Sequence, residues 1–367
     1  MAIATGVAMG RLKRVVRPWI WACMLALAAF SAQAQRTEGD RVQSKGLYSA
    51  EIAVNGQGER ERSVGFSRGL AEVLTRLTGD PQVNSRTGVG AELRKAGEYV
   101  EGYDYRQDQG VGASGAPSFK TMLVVRFDEE AVDDMVAVLG LPVWSQPRPK
   151  PVLWLAIDDG SGPRLVGVPR AQAARPTLDQ AEERGFTLGL PAGHASEQAL
   201  VGAIWRGDGA AVARASKRYS PPMQLIGKLY RKDGGWAADW TFQDAGRVLA
   251  QSSESGANVR TVLASGANVA ANALVKRYAK PAETAGPPGT YRIAFVGLDS
   301  ADDYVRLSGY LQTLSVVNGV TPVRATPERI EYDLELISGI PGFKRMVERD
   351  SVLSDASDGS DVYRLRP

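Results

Sequence analysis

The stretch that decides the fold class is YRIAFVGLDSADDYVRLSGYLQTLSVVNGVTPVRATPERIEYDLELISGIPGFKRMVERD, residues 291–350. Residues 291–298 are an apolar run of strand length. Ser300-Ala-Asp-Asp303 offers a capping serine with early acids, and Tyr304, Leu307, Leu311 and Leu314 come next at helical spacing. Residues 320–325 read as a strand. Ile330, Tyr332, Leu334 and Leu336 alternate with Glu331, Asp333 and Glu335, the period of a half-buried strand. Phe343, Met346 and Val347 mark a second helix, and residues 362–366 a last strand. The order β-α-β-β-α-β is ferredoxin-like and predicts a sheet with helices on one face. The fold class is therefore α+β. The order by itself names no activity.

Outward from this unit, two proline-rich stretches punctuate the chain. Residues 280–289 hold Pro281, Pro287 and Pro288, and residues 141–151 hold Pro142, Pro147, Pro149 and Pro151. Proline lacks an amide donor and restricts its neighbour, so both stretches are expected to interrupt helix and sheet alike. These breaks imply three small α/β modules in series: 40–145, 146–280 and 290–367.

The first module reads β-α-α-β-β-α. A strand at 47–54 precedes a helix carrying Leu70, Val73, Leu74 and Leu77, stopped by Gly79-Asp80-Pro81. A weaker helix spans 88–97, and strands come at 99–106 and 119–127, the latter with Phe119, Leu123, Val125 and Phe127 on one face. A helix at 129–139 closes the module. The middle module opens with a strand at 152–157 and a turn at Asp158-Asp159-Gly160. Helices are expected at 196–204 and 209–219. Strands at 223–230 and 236–242 flank Asp233-Gly234-Gly235 as a hairpin, with Trp236, Trp240 and Phe242 sharing a face. A small-residue helix ending near Tyr278 contains Ser-Gly-Ala-Asn-Val twice, from 255 and from 265. A mixed sheet with helices is expected here. Two copies of five residues do not make a repeat protein.

Residues 1–34 differ from the rest. Arg11, Lys13, Arg14 and Arg17 precede a run of about a dozen apolar residues, and Ser31-Ala32-Gln33-Ala34 places small residues where a signal peptidase reads. A membrane span needs roughly 20 apolar residues, so this run is too short to anchor. The segment is expected to be a signal peptide cleaved after Ala34, delivering the remainder to the periplasm without a stable membrane anchor. Cys23 lies in mid-run behind the bulky Trp21, which argues against a lipidated cysteine, and no Arg-Arg pair marks a twin-arginine signal. The segment carries four of the 44 basic residues and none of the 41 acidic ones, so the chain beyond Ala34 is close to neutral. That balance gives no reason to expect nucleic acid or anionic lipid as a partner. Cys23 is also the only cysteine, so the chain beyond it has no disulfide, thiolate metal site or cysteine nucleophile.

Candidate chemistry meets a plainer reading at each place. His194, the single histidine, sits in Pro191-Ala-Gly-His-Ala-Ser196 ahead of a helix, where capping is commoner than a Ser-His-Asp relay. No Ser-x-x-Lys or Gly-x-Ser-x-Gly is present. Gly110-Val-Gly-Ala-Ser-Gly115 matches G-x-G-x-x-G, but a strand succeeds it where a dinucleotide site needs a helix. The pairs Asp133-Asp134, Asp158-Asp159 and Asp302-Asp303 read as helix and turn chemistry, although dispersed carboxylates of a hydrolase stay open. Asp355-Ala-Ser-Asp-Gly-Ser-Asp361 has a calcium-loop flavour without its closing glutamate. Trp154, Trp205, Trp236 and Trp240 are either core or a sugar-stacking face. No catalytic, cofactor-binding or metal residue is therefore assigned, and no cofactor is expected.

The stretches FSRGLAEVLTRLTGD (66–80), YVEGYDYR (99–106), PVLWLAID (151–158) and WAADW (236–240), with the last unit, resemble a proteobacterial envelope family catalogued as domain of unknown function 2066 (DUF2066). The resemblance implies a periplasmic protein and supplies no catalytic residues. In element order the middle module is similar to small α/β domains of periplasmic assembly proteins, such as activators of penicillin-binding proteins. The first is similar to a domain of flagellar assembly accessory proteins. The expected function is a non-enzymatic periplasmic accessory or adaptor protein with an envelope protein partner. The alternatives are an envelope hydrolase using dispersed carboxylates and a glycan-binding module.

Overall fold

Apolar residues two apart in the first segment become neighbouring strands under one long helix. In this computed structural model the described residues are 46–111, 117–219, 222–281, 285–327, 329–356 and 361–367. The expected signal peptide with Cys23, most of the Gly110–Gly115 motif and residues 357–360 of the acidic loop lie outside them. β1 (Ser49–Val54), α1 (Glu59–Thr78), α2 (Val89–Arg94), β2 (Val100–Val111), β3 (Pro117–Phe127) and α3 (Glu129–Val138) come in the expected order. The antiparallel sheet runs β1-β3-β2. Leu70, Val73, Leu74 and Leu77 of α1 pack on Ile52, Leu123, Val125 and Phe127, forming one buried cluster. The helix stops at Gly79, whose left-handed φ of 67° lets its amide bond Thr75 O at 2.7 Å.

Next come β4 (Pro142–Trp144), β5 (Val152–Asp158), β6 (Arg164–Val166), α4 (Arg175–Glu183), α5 (Ala195–Gln198), α6 (Val201–Arg206), α7 (Gly209–Ala215), β7 (Met223–Lys232), β8 (Gly235–Asp244), β9 (Arg247–Gly256), α8 (Val259–Tyr278) and β10 (Ala279–Pro281). The mixed sheet is ordered β6-β5-β7-β8-β9, with β5 and β7 parallel. Leu153, Leu155, Leu225, Trp240 and Phe242 share a core with residues of α4 and α8, while Val152, Trp154, Ala156 and Ile226 pack on Ile204 and Val212 of α6 and α7. Burial on both faces is why β5 reads as an unbroken apolar run. β6, α4 and β9 go beyond the elements expected from the sequence. β9 is an exposed edge strand, polar or glycine from Gln251 to Gly256, so it carries no apolar alternation. The helix expected over 196–204 is two short ones, and the one over 209–219 ends at Ala215 in a 3₁₀ turn.

Both proline-rich stretches contribute a strand to a sheet. β4 and β10 pair antiparallel, Pro142 opposite Pro281 and Trp144 opposite Ala279. Prolines are tolerated because this ladder is only two strands wide and three residues long, with outer edges that need no donors.

The last segment forms β11 (Gly289–Val296), α9 (Ala301–Thr313), β12 (Val317–Ala325), β13 (Arg329–Leu336), α10 (Gly339–Arg349), β14 (Leu353–Asp355) and β15 (Val362–Leu365). Its sheet is ordered β12-β13-β11-β15-β14. The expected six-element order gains β14, which lies at the edge. A crossover from β13 through α10 delivers β14, and the hairpin back to β15 then sets a parallel strand beside β11. The chain is thus an α+β protein, with four sheets among the described residues. The described residues group as one compact unit. Val138 of α3 belongs to the last segment's core, and the Arg349 guanidinium lies 5.8 Å over the Tyr99 ring.

Candidate functional site

The joint between the first two segments is built on two buried cations. Arg148, flanked by Pro147 and Pro149, is 1 % exposed. Its guanidinium donates to Trp144 O (Nε, 3.0 Å; Nη2, 2.6 Å), Arg76 O (2.7 Å), Leu77 O (3.3 Å) and Gly185 O. Arg184 of the loop after α4 donates to Gly79 O at 2.7 and 3.2 Å and to Asn268 and Asn272 of α8 at 2.6 and 2.8 Å. The C-terminal carbonyls of α1 are its negative pole, so two cations there are favourably placed. Burial pushes the Arg148 guanidinium down to about 10, and it keeps its proton at neutral pH. Neither arginine stands out in the sequence. The one cue is a cation set between prolines.

Beyond this joint the β2–β3 hairpin projects. β1 covers β3 only from Thr121 to Arg126, whereas β2 accompanies β3 out to Pro117. Phe119 continues the apolar row of Leu123, Val125 and Phe127 past the end of β1 and is 62 % exposed. Further along the same face Phe66 of α1 meets Tyr103 edge-on at 5.3 Å, Tyr103 meets Tyr105 at 6.0 Å, and the Arg62 guanidinium sits 5.5 Å over Tyr103. Tyr103 remains 45 % exposed, and Val64 of α1 is exposed as well. On the other face Arg106 bridges Glu51 at 2.7 Å and Asp108 at 2.8 Å, tying β1 to β2. Phe119 and Tyr103 are thus exposed aromatic side chains on one face of a hairpin braced to β1.

A cleft of about 1020 Å³ opens beside α3 and Trp144, lined by Glu101, Asp128, Glu129, Glu130 and Asp133 with Tyr48. Asp128 caps α3 through Ala131 N at 2.9 Å, and Asp133 accepts from Tyr48 Oη at 2.7 Å. Burial raises the Tyr48 phenol, as does its bond to Asp133. These carboxylates are exposed.

The remaining expected residues take structural places. His194 is the exposed N-cap of α5, and the carboxylate of the buried Glu197 accepts its amide and that of Gly193 at 3.0 and 2.7 Å. The same carboxylate takes Tyr219 Oη at 2.6 Å. Burial first, then that bond, push the phenol up to about 12. Asp158 and Asp159 bond amides of their own turn, and Asp303 accepts from Ser300 Oγ in the cap of α9. Trp154 and Trp240 are buried on opposite faces of the middle sheet, and Trp236 lies under the Arg231 guanidinium at 3.8 Å. These tryptophans therefore form no continuous exposed strip. Among the described residues no three histidine or carboxylate side chains are grouped to hold a metal, and no helix is long and apolar enough to cross a membrane.

Residues 42–145 match the model of a family described as a domain of unknown function, DUF8605. This corrects the resemblance to DUF2066. The stretches 66–80 and 99–106 that carried it most specifically lie inside the matched residues, and they encode an amphipathic helix and a following strand, a pattern that many small α/β units share. No curated protein and no solved structure matches the chain.

Proposed function

We propose that this is a non-enzymatic accessory or adaptor protein of the cell envelope, exported to the periplasm by residues 1–34 and acting through contacts with an envelope protein. The observation that carries the reading is the braced hairpin, with Phe119 and Tyr103 exposed on one of its faces. The match to residues 42–145 spans that hairpin. In the same reading the modules 40–145, 146–280 and 290–367 each fold around a sheet, and the last is a ferredoxin-like unit with one added edge strand.

The test is photocrosslinking in whole cells, with a reactive residue placed at 103, at 119 and, as a control, at 252 on the edge of β9. The same envelope protein captured from 103 and 119, not from 252, and lost in Phe119→Asp, is the expected result. Capture no stronger than at 252 overturns the reading. The carboxylate-lined cleft favours one second reading, an envelope hydrolase. Turnover of peptidoglycan fragments by purified protein, abolished in Glu129→Gln or Asp133→Asn, would establish it instead.

A further inference from the structure

β9 forms one edge of the middle sheet, and no strand lies on its outer side among the described residues. It is ten residues long, from Arg247 to Gly256, and residues 251–256 are exposed. A bare edge presents a row of unpaired amides and carbonyls, a template on which another strand can add. Proteins commonly blunt such an edge with proline, lysine or a bulge, or by keeping it short. β12, an edge of the last sheet, carries Pro322 and two register shifts, and the edge strands β6 and β14 are only three residues long. β9 has one shift, near its start. From Ala250 to Gly256 it reads Ala-Gln-Ser-Ser-Glu-Ser-Gly, paired with β8 without interruption and free of proline and lysine.

That shift decides which side chains share a face. Residues opposite one another in antiparallel strands point to the same side of the sheet. Ala250, Ser252 and Glu254 stand opposite Phe242, Trp240 and Ala238, which are buried in the core shared with α8. The pairing then skips Leu249, so Val248 stands opposite Gln243 and Arg247 opposite Asp244. Asp244 is two residues beyond Phe242 and bonds Arg277 of α8 at 2.6 Å, which puts Arg247 on the α8 side as well. In a regular strand Arg247 and Glu254, an odd number of residues apart, would lie on opposite faces. The extra residue brings them to one. Both are exposed, and neither is in an ion pair among the described residues: Asp244 is taken by Arg277, and Glu254 stands opposite an alanine.

One cation and one carboxylate, free on the same face at the two ends of one edge, fit a second copy of that edge running the other way. We infer that β9 pairs antiparallel with β9 of a second copy of this chain, centred on Gln251, so that two middle sheets join edge to edge. A two-fold pairing makes every contact twice, and the faces require its centre to fall on a residue. With Gln251 opposite Gln251, Ser252 stands opposite Ala250, and Arg247 of each copy stands opposite Glu254 of the other, giving two cross-strand ion pairs. A centre at Ala250 sets Arg247 opposite Ser252, and a centre at Ser252 sets it opposite Gly256, with Glu254 unpaired in both. Backbone bonds along the edge hold the copies together, and the charges fix the register. This goes beyond the adaptor reading and does not depend on it, because the hairpin surface is on another sheet. A reactive residue at 252 should capture this chain itself, which leaves it a control for an envelope partner.

Sedimentation velocity on the full purified protein, over about 1–200 µM, tests it. A monomer–dimer equilibrium with a Kd on the order of 10 µM is expected, weak because one strand edge covers less than a standard interface. Arg247→Glu and Glu254→Arg should each weaken it about tenfold by setting like charges opposite one another. The two changes in one chain restore opposite charges and should return the Kd to within about twofold of wild type. A second measurement reads the register without altering a charge. With Cys23→Ser in the background, a short bismaleimide should join Gln251→Cys chains and leave Ser255→Cys chains single, because the two 255 positions lie roughly 27 Å apart in this register. A monomer at about 200 µM, the same Kd in wild type and both single charge variants, or crosslinking at 255 as strong as at 251, overturns the assignment.

Discussion

Gly79 and Asp80 end α1 by two separate devices. Gly79 holds φ at 67°, and a Cβ there would lie 2.3 Å from Val275 Cγ2 and 3.1 Å from Trp144. Gly79→Ala therefore combines left-handed strain with overpacking and should cost about 2–4 kcal/mol in urea unfolding. Asp80 accepts from Arg86 Nη2 at 2.8 Å, Arg86 Nε at 3.0 Å and Gln82 N at 2.9 Å. Burial pushes its carboxyl up, but the Arg86 and Gln82 hydrogen bonds and the Arg86 charge hold it below the ordinary value. A carboxyl depressed in the folded state adds stability that is complete above its unfolded pKa, about 3.9, and is lost as pH falls through the folded pKa. Asp80→Asn should cost about 1–2 kcal/mol at pH 7. The gap between variant and wild type should narrow in unfolding curves taken at pH 3. An equal gap at both pH values would remove charge from the explanation.

At the scale of elements, one pentapeptide takes two structures. Ser255-Gly-Ala-Asn-Val259 ends β9 and starts α8, with Asn258 as N-cap accepting Arg260 N at 2.9 Å. Ser265-Gly-Ala-Asn-Val269 lies inside α8, where Ser265 Oγ accepts Trp240 Nε1 at 3.1 Å and Asn268 accepts from Arg184. The sequence alone puts both copies in the helix, and only the second belongs there. What separates them is Trp240, which the second copy receives and the first does not. A Cβ on Gly266 would lie 2.6 Å from the Trp240 ring, whereas one on Gly256 meets nothing nearer than 3.6 Å. Gly266→Ala should thus cost about 1–3 kcal/mol despite the better helix propensity of alanine. Gly256→Ala should stay within about 0.5 kcal/mol, both read from urea midpoints. Legibility in the sequence divides along the same line, between what a local pattern states and what a distant partner decides. Alternation in 330–336 and helical spacing in 70–77 survive because the residues that show them also fill the core. β9 and β14 escape because edges need no apolar period, and α4 because its apolar content is slight. The hairpin surface is half visible. The period of two puts Phe119 on the right face, but its exposure depends on where β1 stops, which no local pattern states.

For the whole molecule, the question is whether the first two sheets behave as one body. Arg148 donates five hydrogen bonds at their joint and Arg184 four. Each bonds the end of α1 on one side and the middle segment on the other. Arg148→Met keeps the bulk but leaves buried carbonyls at Arg76, Leu77, Trp144 and Gly185 without these donors, a loss of at least about 3 kcal/mol. Arg148→Lys should recover little of it, because a compact ammonium cannot reproduce a planar fork spread over four carbonyls. The loss falls on the joint and not on either core, so its form matters more than its size. In wild type, amides of β3 and of β7 should exchange by the same opening, with one urea transition and one large slope. In Arg148→Met the joint no longer couples them, so the transition should divide into two with smaller slopes, each reporting less surface exposed. Exchange at β3 should rise well before exchange at β7, since the first sheet has the smaller core. If Arg148→Met instead lowers the midpoint with the slope intact and both sheets still exchanging together, the two cores are joined by apolar contact around Trp144 and Phe186, 5.9 Å apart, and the arginines only add to a joint that would hold without them.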